Sequence, residues 1–170
     1  MCDCSRSAVS SMRRGCVECF RRGVPRCEDH EERYNLLFKA MSEKNSNYVR
    51  ILLEDFDFDA SMVTFNDVFE TTVLHSYANG WSFPLENVIL LLDHGADPNS
   101  VSDDGYTPLH IAVLSDNVEM ISLFVRYGAN PDLVCDAGDG EYNAVDLARV
   151  RERSNALDFF ELDIKDPGFD

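Results

Sequence analysis

The stretch from Asp103 to Asp132, DDGYTPLHIAVLSDNVEMISLFVRYGANPD, decides the fold. Thr107 can cap a helix with its hydroxyl, and Pro108 suits the first helical turn, where its missing N–H costs nothing. Ala112 is small enough to let a neighbouring helix approach closely. Met120, Ile121, Leu123 and Phe124 form an apolar stripe at helical spacing. Gly128 supplies the positive φ that ends the second helix, and Gly105 does similar work in a hairpin. The stretch therefore reads as a hairpin, a short helix, a turn, a second helix and a stop.

The same pattern recurs on both sides. Thr72-Val-Leu-His75 aligns with Thr107-Pro-Leu-His110, and Leu85 to Asp97 aligns with the run that closes on Gly128-Ala-Asn130. Upstream, Leu36, Leu37, Ala40 and Met41 form one helical stripe, and Tyr48, Val49, Ile51, Leu52 and Leu53 form a second. Downstream, Asn143-Ala-Val-Asp-Leu-Ala-Arg149 opens a last unit, and Ala156, Leu157, Phe159, Phe160 and Leu162 supply its second stripe.

On these residues, Asp103 to Asp132 resembles one complete ankyrin repeat, a 33-residue motif with TPLH at its first helix and Gly-Ala-Asn at its close. The resemblance implies an all-α repeat solenoid. About four helix-turn-helix repeats would stack, with β-hairpin-like fingers projecting from them. Their expected bounds are about 31–60, a divergent N-terminal cap, then 67–99, 102–132 and 140–162, the last a C-terminal cap. Residues 1–30 are left as a basic Cys- and Arg-rich arm, expected to be flexible, and residues 163–170 as a tail too short for an appended domain.

Departures from the regular unit are informative. Phe56 stands where a helix-ending Gly is expected. Leu74 to Gly95 spans 21 residues against 19 from Leu109 to Gly128, so the second unit carries two extra residues near Asn79-Gly-Trp-Ser-Phe-Pro84. Trp81 there is either an exposed anchor for a partner or, with Phe83, a cover for adjacent helix ends. Three extra residues precede Asn143, lengthening the finger from Leu133 to Tyr142. Arg149, Arg151 and Arg153 are expected on the solvated outer side of the last unit.

Charge divides the chain. The total is −16, but residues 1 to 27 hold six arginines against Asp3 and Glu18, a net +4, leaving −20 for residues 28 to 170. An acidic body repels a nucleic-acid backbone and favours basic protein segments. Alternatively, its acidity serves only solubility. No apolar run approaches the roughly 20 residues of a membrane helix. The arginine-rich start does not resemble a secretory signal, so an intracellular protein, cytoplasmic or nuclear, is expected.

Five of six cysteines lie in the first 27 residues. Cys16 and Cys19 form a CxxC, and Cys27 with His30 a CxxH, the soft S and N ligands that tetrahedral zinc takes. The other reading is an unstructured arm without metal. A zinc- or nucleic-acid-binding arm on an ankyrin platform is thus the alternative function. A third possibility is that the +4 arm lies in the acidic groove and competes with partners.

No glycine-rich phosphate loop, HExxH pair or GxSxG turn is present, so catalysis is not expected. His75 and His110 read as structural. The ankyrin resemblance implies protein binding along the finger tips and first helices. Carried over position by position, it places contacts at Val68, Phe69 and Thr71, then Asp103, Asp104 and Tyr106, then Asp136, Asp139 and Glu141. The helix ends add Asn79, Gly80, Leu114 and Ser115. The expected role is a non-enzymatic adaptor or inhibitor that binds a basic segment. Short ankyrin proteins of similar size and acidity include inhibitors of NF-kappa-B factors and viral proteins.

Overall fold

The computed structural model describes residues 8–13, 15–24, 29–43, 45–63, 71–79 and 84–162. Among them the apolar stripes become successive helix pairs. These are α1 (Ala8–Arg13) with α2 (Val17–Gly23), and α3 (His30–Ser42) with α4 (Asn47–Arg50), which runs on into a π-helical turn at Ile51–Asp55. Next come α5 (Val73–Tyr77) with α6 (Leu85–Asp93), α7 (Pro108–Leu114) with α8 (Val118–Arg126), and α9 (Ala144–Val150) with α10 (Ser154–Leu162). First helices stack on first helices, α1 on α3, α3 on α5, α5 on α7 and α7 on α9, while α4 meets α6 and α8 meets α10. This is the helical repeat stack expected from the sequence. None of the described helices is long and apolar enough to cross a membrane.

The first correction concerns residues 1–30. In place of a flexible arm, the described part folds as α1 and α2, with Ala8, Met12, Phe20 and Val24 buried. The Phe20 ring meets Tyr48 edge-on at 4.9 Å, and Tyr48 Oη donates to the Met12 carbonyl at 3.5 Å. Arg21 pairs with Asp55 at 2.9 Å. The helices cross so closely that a methyl on Gly23 would stand 2.5 Å from the Ala8 nitrogen. The pair therefore covers the face of the α3–α4 unit that had been expected to end the stack. Each helix holds under two turns, too little for periodicity to stand out among the arginines.

Phe56 marks a second difference. The left-handed residue that ends the helix is Asp57, at φ 51°, one position later than Gly95 and Gly128 in their units. The π-helical turn absorbs the extra residue. Phe58 N–H then reaches back to the Leu52 carbonyl at 3.0 Å, as Ala96 does to Leu91 and Ala129 to Phe124. Beyond this point the units agree again. The Asp59, Asp97 and Asn130 side chains each accept from the backbone N–H two residues on, at 2.8, 2.8 and 3.0 Å, the Asx turn that starts each finger.

Two histidines join the units. Thr72 and Thr107 cap α5 and α7, and the Nδ1 atoms of His75 and His110 accept from the Thr72 and Thr107 N–H groups at 3.2 and 3.1 Å. With Nδ1 an acceptor, Nε2 carries the proton and donates to a carbonyl of the next finger, Tyr106 and Leu133 respectively, at 3.0 Å in both cases. In the last unit Asn143 caps α9 through the Asp146 N–H at 2.9 Å. Asp146, in the histidine position, faces solvent and pairs with Arg149 at 2.6 Å.

Burial pushes both histidines below their usual 6.5, only partly opposed by the carbonyl bonds. Their unfolded forms therefore bind protons first. The stability they confer is complete above about pH 6.5 and falls by up to about 1.4 kcal/mol per histidine for each pH unit below it. Urea unfolding between about pH 7.5 and 5.5 should show this slope in the wild type. It should be shallower in His75→Gln and His110→Gln variants.

Small residues let first helices approach at Ala40, Ala112 and Ala148, all fully buried. Tyr77 occupies the equivalent place in the second unit. Its ring is buried, its hydroxyl donates to the Phe38 carbonyl at 2.6 Å, and burial holds the phenol far above its ordinary value.

Candidate binding surface on the third and fourth fingers

A finger turns sharply when a carbonyl and an N–H near its ends can meet. In the third finger Ser102 N–H donates to the Tyr106 carbonyl at 2.9 Å, and Gly105, at φ 79°, closes the turn. The fourth finger spends its three extra residues on a true hairpin, β1 (Cys135–Asp136) antiparallel to β2 (Glu141–Tyr142). The two fingers touch: a methyl on Gly105 would lie 3.4 Å from the Asp136 nitrogen. Substitution there would also strain a positive φ.

Between the fingers opens a cleft of about 540 Å³ lined by Asp103, Asp104, Gly105, Tyr106, Asp136, Ala137 and Gly138. Three of these residues are exposed carboxylates, and among the described residues that line the cleft none is cationic. Tyr106 is half-buried, its ring edge-on to His110 at 6.3 Å. Burial and nearby Cys135 push its phenol up, with Asp104 and Asp139 adding to the effect. Asp136 also holds the hairpin, accepting from Gly138 N–H at 2.8 Å.

The sequence-derived contact residues divide at this cleft. Asp103, Asp104, Tyr106 and Asp136 come together, with Glu141 exposed on β2 nearby. Asp139 has a different task. Arg151 grips both its carboxylate oxygens at 2.7 and 2.9 Å, which draws the carboxyl below its usual range and pins the hairpin to the end of α9. Arg151 is thus turned back onto the finger and does not lie on a purely solvated end. Arg149 is exposed, whereas Arg153 buries its Nε.

Leu114 packs against the core, and Ser115 Oγ donates to the Ile111 carbonyl at 3.0 Å, so both belong to the end of α7 and outside the cleft lining. Thr71 is half-buried. Asn79 is half-buried at the end of α5. Val68, Phe69, Gly80 and Trp81 lie outside the described residues.

The proposed zinc ligands divide too. Cys16 is the residue before α2, Cys19 is buried within it, and His30 opens α3 on the surface, while Cys27 lies outside the described residues. Among the described residues no three His, Cys, Asp or Glu side chains gather where a metal could be held. Arg21 and Arg22 face Asp55 and Glu18, at 2.9 and 3.4 Å. The described part of this region sits on the first units, separated from the finger cleft by α5 and α6, so it does not fill the acidic groove.

Two exposed apolar residues were missed from the sequence. Val101 is 60% and Val134 56% exposed, each two residues before a cleft aspartate. The signal was present. Asp97-Pro-Asn-Ser-Val-Ser-Asp103 and Asn130-Pro-Asp-Leu-Val-Cys-Asp136 carry Pro, Val and Asp in the same register.

Comparison with known proteins agrees with this architecture. The family description "Ankyrin repeats (3 copies)" matches residues 37–135 and again 76–158. BCL-6 corepressor-like protein 1 of Homo sapiens is 37% identical over 92 residues, covering 54% of this chain and 5% of its own length. A putative ankyrin repeat protein of Acanthamoeba polyphaga mimivirus is 35% identical over 78 residues, 46% of this chain and 18% of the relative. Another, from Rickettsia bellii, is 27% identical over 139 residues, 78% of this chain and 38% of the relative. The chain spans well under half the length of each of these relatives. With the family pattern running through most of the helix pairs described above, the chain belongs to the ankyrin-repeat family.

Proposed function

We propose that this chain is an intracellular protein-binding module that receives a basic segment of its partner in the cleft between the third and fourth fingers. It acts by occupancy, as an adaptor or inhibitor, and not by chemistry. Ankyrin repeats are in general protein-interaction modules, and viral ankyrin proteins are among this chain's relatives. The observation that carries the finer reading is the lining of the cleft, where the carboxylates Asp103, Asp104 and Asp136 converge around Tyr106. Lys and Arg side chains entering there gain charge-assisted hydrogen bonds, and the ring offers a face for an apolar or guanidinium contact.

Ionic strength tests this reading. Binding of a labelled oligolysine peptide of about ten residues should weaken at least about tenfold between about 50 and 500 mM salt, because exposed charges are screened over a Debye length. Affinity that does not change with salt would overturn the electrostatic account.

A further inference from the structure

One wall of the cleft is the tip of a hairpin. Asp136, Ala137 and Gly138 form it, and the third finger forms the other. The base of the fourth finger is held in place: Cys135 is buried, its thiol donates to the Tyr142 carbonyl at 3.4 Å, and His110 Nε2 donates to the Leu133 carbonyl at 3.0 Å. The tip carries Gly138, at φ 81°, and Gly140, residues that lose the most conformational freedom when ordered. Within it, Ala137 N–H donates to the Gly140 carbonyl at 2.9 Å, and the Asp136 carboxylate accepts from Gly138 N–H at 2.8 Å. These bonds shape the tip but tie it to nothing outside the finger.

Arg151, the residue that follows α9, supplies the tie. Its Nη1 and Nη2 donate to the two carboxylate oxygens of Asp139 at 2.7 and 2.9 Å. A guanidinium fork on both oxygens fixes direction as well as distance, which an ammonium does not. Asp139 adjoins Gly138 in the chain, so holding its carboxylate holds the wall. The charge of Arg151 also acts on the Tyr106 phenol in the cleft lining, opposing the rise that burial causes there. Two effects of opposite sign therefore meet at this side chain. Its charge repels a cation entering the cleft, while its grip steadies the wall against which that cation binds.

Magnitudes separate the two. One exposed charge acting through solvent alters affinity by about fivefold at most. Ordering two freed tip residues on binding costs on the order of tenfold or more. We infer that Arg151, outside the cleft lining, is the positioning residue for binding in it: its pairing with Asp139 holds the Asp136 wall in the form that receives a basic segment. This assignment rests on the proposed function of the acidic cleft.

Affinity of the full chain for the labelled oligolysine peptide tests it, at one ionic strength and with the far-ultraviolet helical signal checked for every variant. Arg151→Gln should weaken binding at least about tenfold, although it removes a positive charge. Arg151→Lys keeps the charge, loses the fork and should also weaken binding. Exchanging the pair, Asp139→Arg with Arg151→Asp, preserves net charge and the summed length of the two side chains, and should return affinity to within about threefold of the wild type. Asp136→Asn, whose amide oxygen keeps the Gly138 bond, should weaken binding by the wild type but add less than about twofold to the loss in Arg151→Gln. Unchanged or tighter binding by Arg151→Gln, the result that charge alone predicts, would overturn the positioning role and leave the acidic cleft standing. So would a loss that the exchanged pair does not restore, or losses at 136 and 151 that simply multiply. Failure of the wild type to bind the peptide would overturn both.

Discussion

Replacing Phe20 by Ala should lower the stability of the chain by about 3–5 kcal/mol, the usual cost of emptying a fully buried aromatic site. Phe20 is completely buried, and it leans edge-on against Tyr48 of the next helix pair. Its loss would remove apolar area and also the ring contact, and Gly23 packed on Ala8 leaves little freedom for the helices to close the gap. Urea unfolding of the full chain measures the effect. Arg22→Ala, at an exposed position, should change stability by less than about 0.5 kcal/mol and serves as the control. An unchanged midpoint for Phe20→Ala would mean that α1 and α2 contribute nothing to the stack.

Reversing Asp103, Asp104 and Asp136 together to Lys should reduce the affinity for a basic peptide by at least about a hundredfold, while the far-ultraviolet helical signal stays unchanged. The three side chains are exposed and line the cleft, and because Asp136 also accepts from the Gly138 N–H in the hairpin turn, an Asp136→Asn variant, whose amide oxygen keeps that bond, serves as the control for hairpin order. Each reversal removes an attraction and adds a repulsion, which is why the combined effect exceeds that of neutralisation. Asp139 is left out for a structural reason. Lys at that position would face Arg151, release the hairpin from α9 and confound lost attraction with lost order. Binding retained within about threefold by the triple variant would remove the acidic cleft from the interface.

How far the sequence disclosed this molecule depended on whether a local physical requirement was visible in one residue. Thr107, His110, Ala112 and Gly128 each answer a demand that only a few residue types can meet, and each sits where it was expected, Gly128 at φ 86°. Phe56 was legible as an anomaly, but its resolution was not. A π-helical turn that moves the left-handed residue to Asp57 depends on how Phe58 packs, which no pattern within the helix declares. Residues 8–24 misled for the opposite reason: their helices are short, and their apolar residues acquire meaning only against Tyr48 and the α3–α4 pair.

The finger site was half legible. Acidic tips at Asp103, Asp104 and Asp136 follow from motif positions, but charge alone did not distinguish Asp139, whose role depends on a partner twelve residues away in sequence. Val101 and Val134 were visible as aligned letters. Their exposure was not, because it depends on Ser102 and Cys135 turning inward.

Backbone amide NMR on the full chain tests the central claim most directly. Titrating in the oligolysine peptide should shift the amides of Asp103 to Tyr106 and of Asp136 to Gly138 together, and leave those of α2 and α6 unmoved. Shifts confined to α2 around Arg21, or to the second helices, with the two finger tips unmoved, would contradict it.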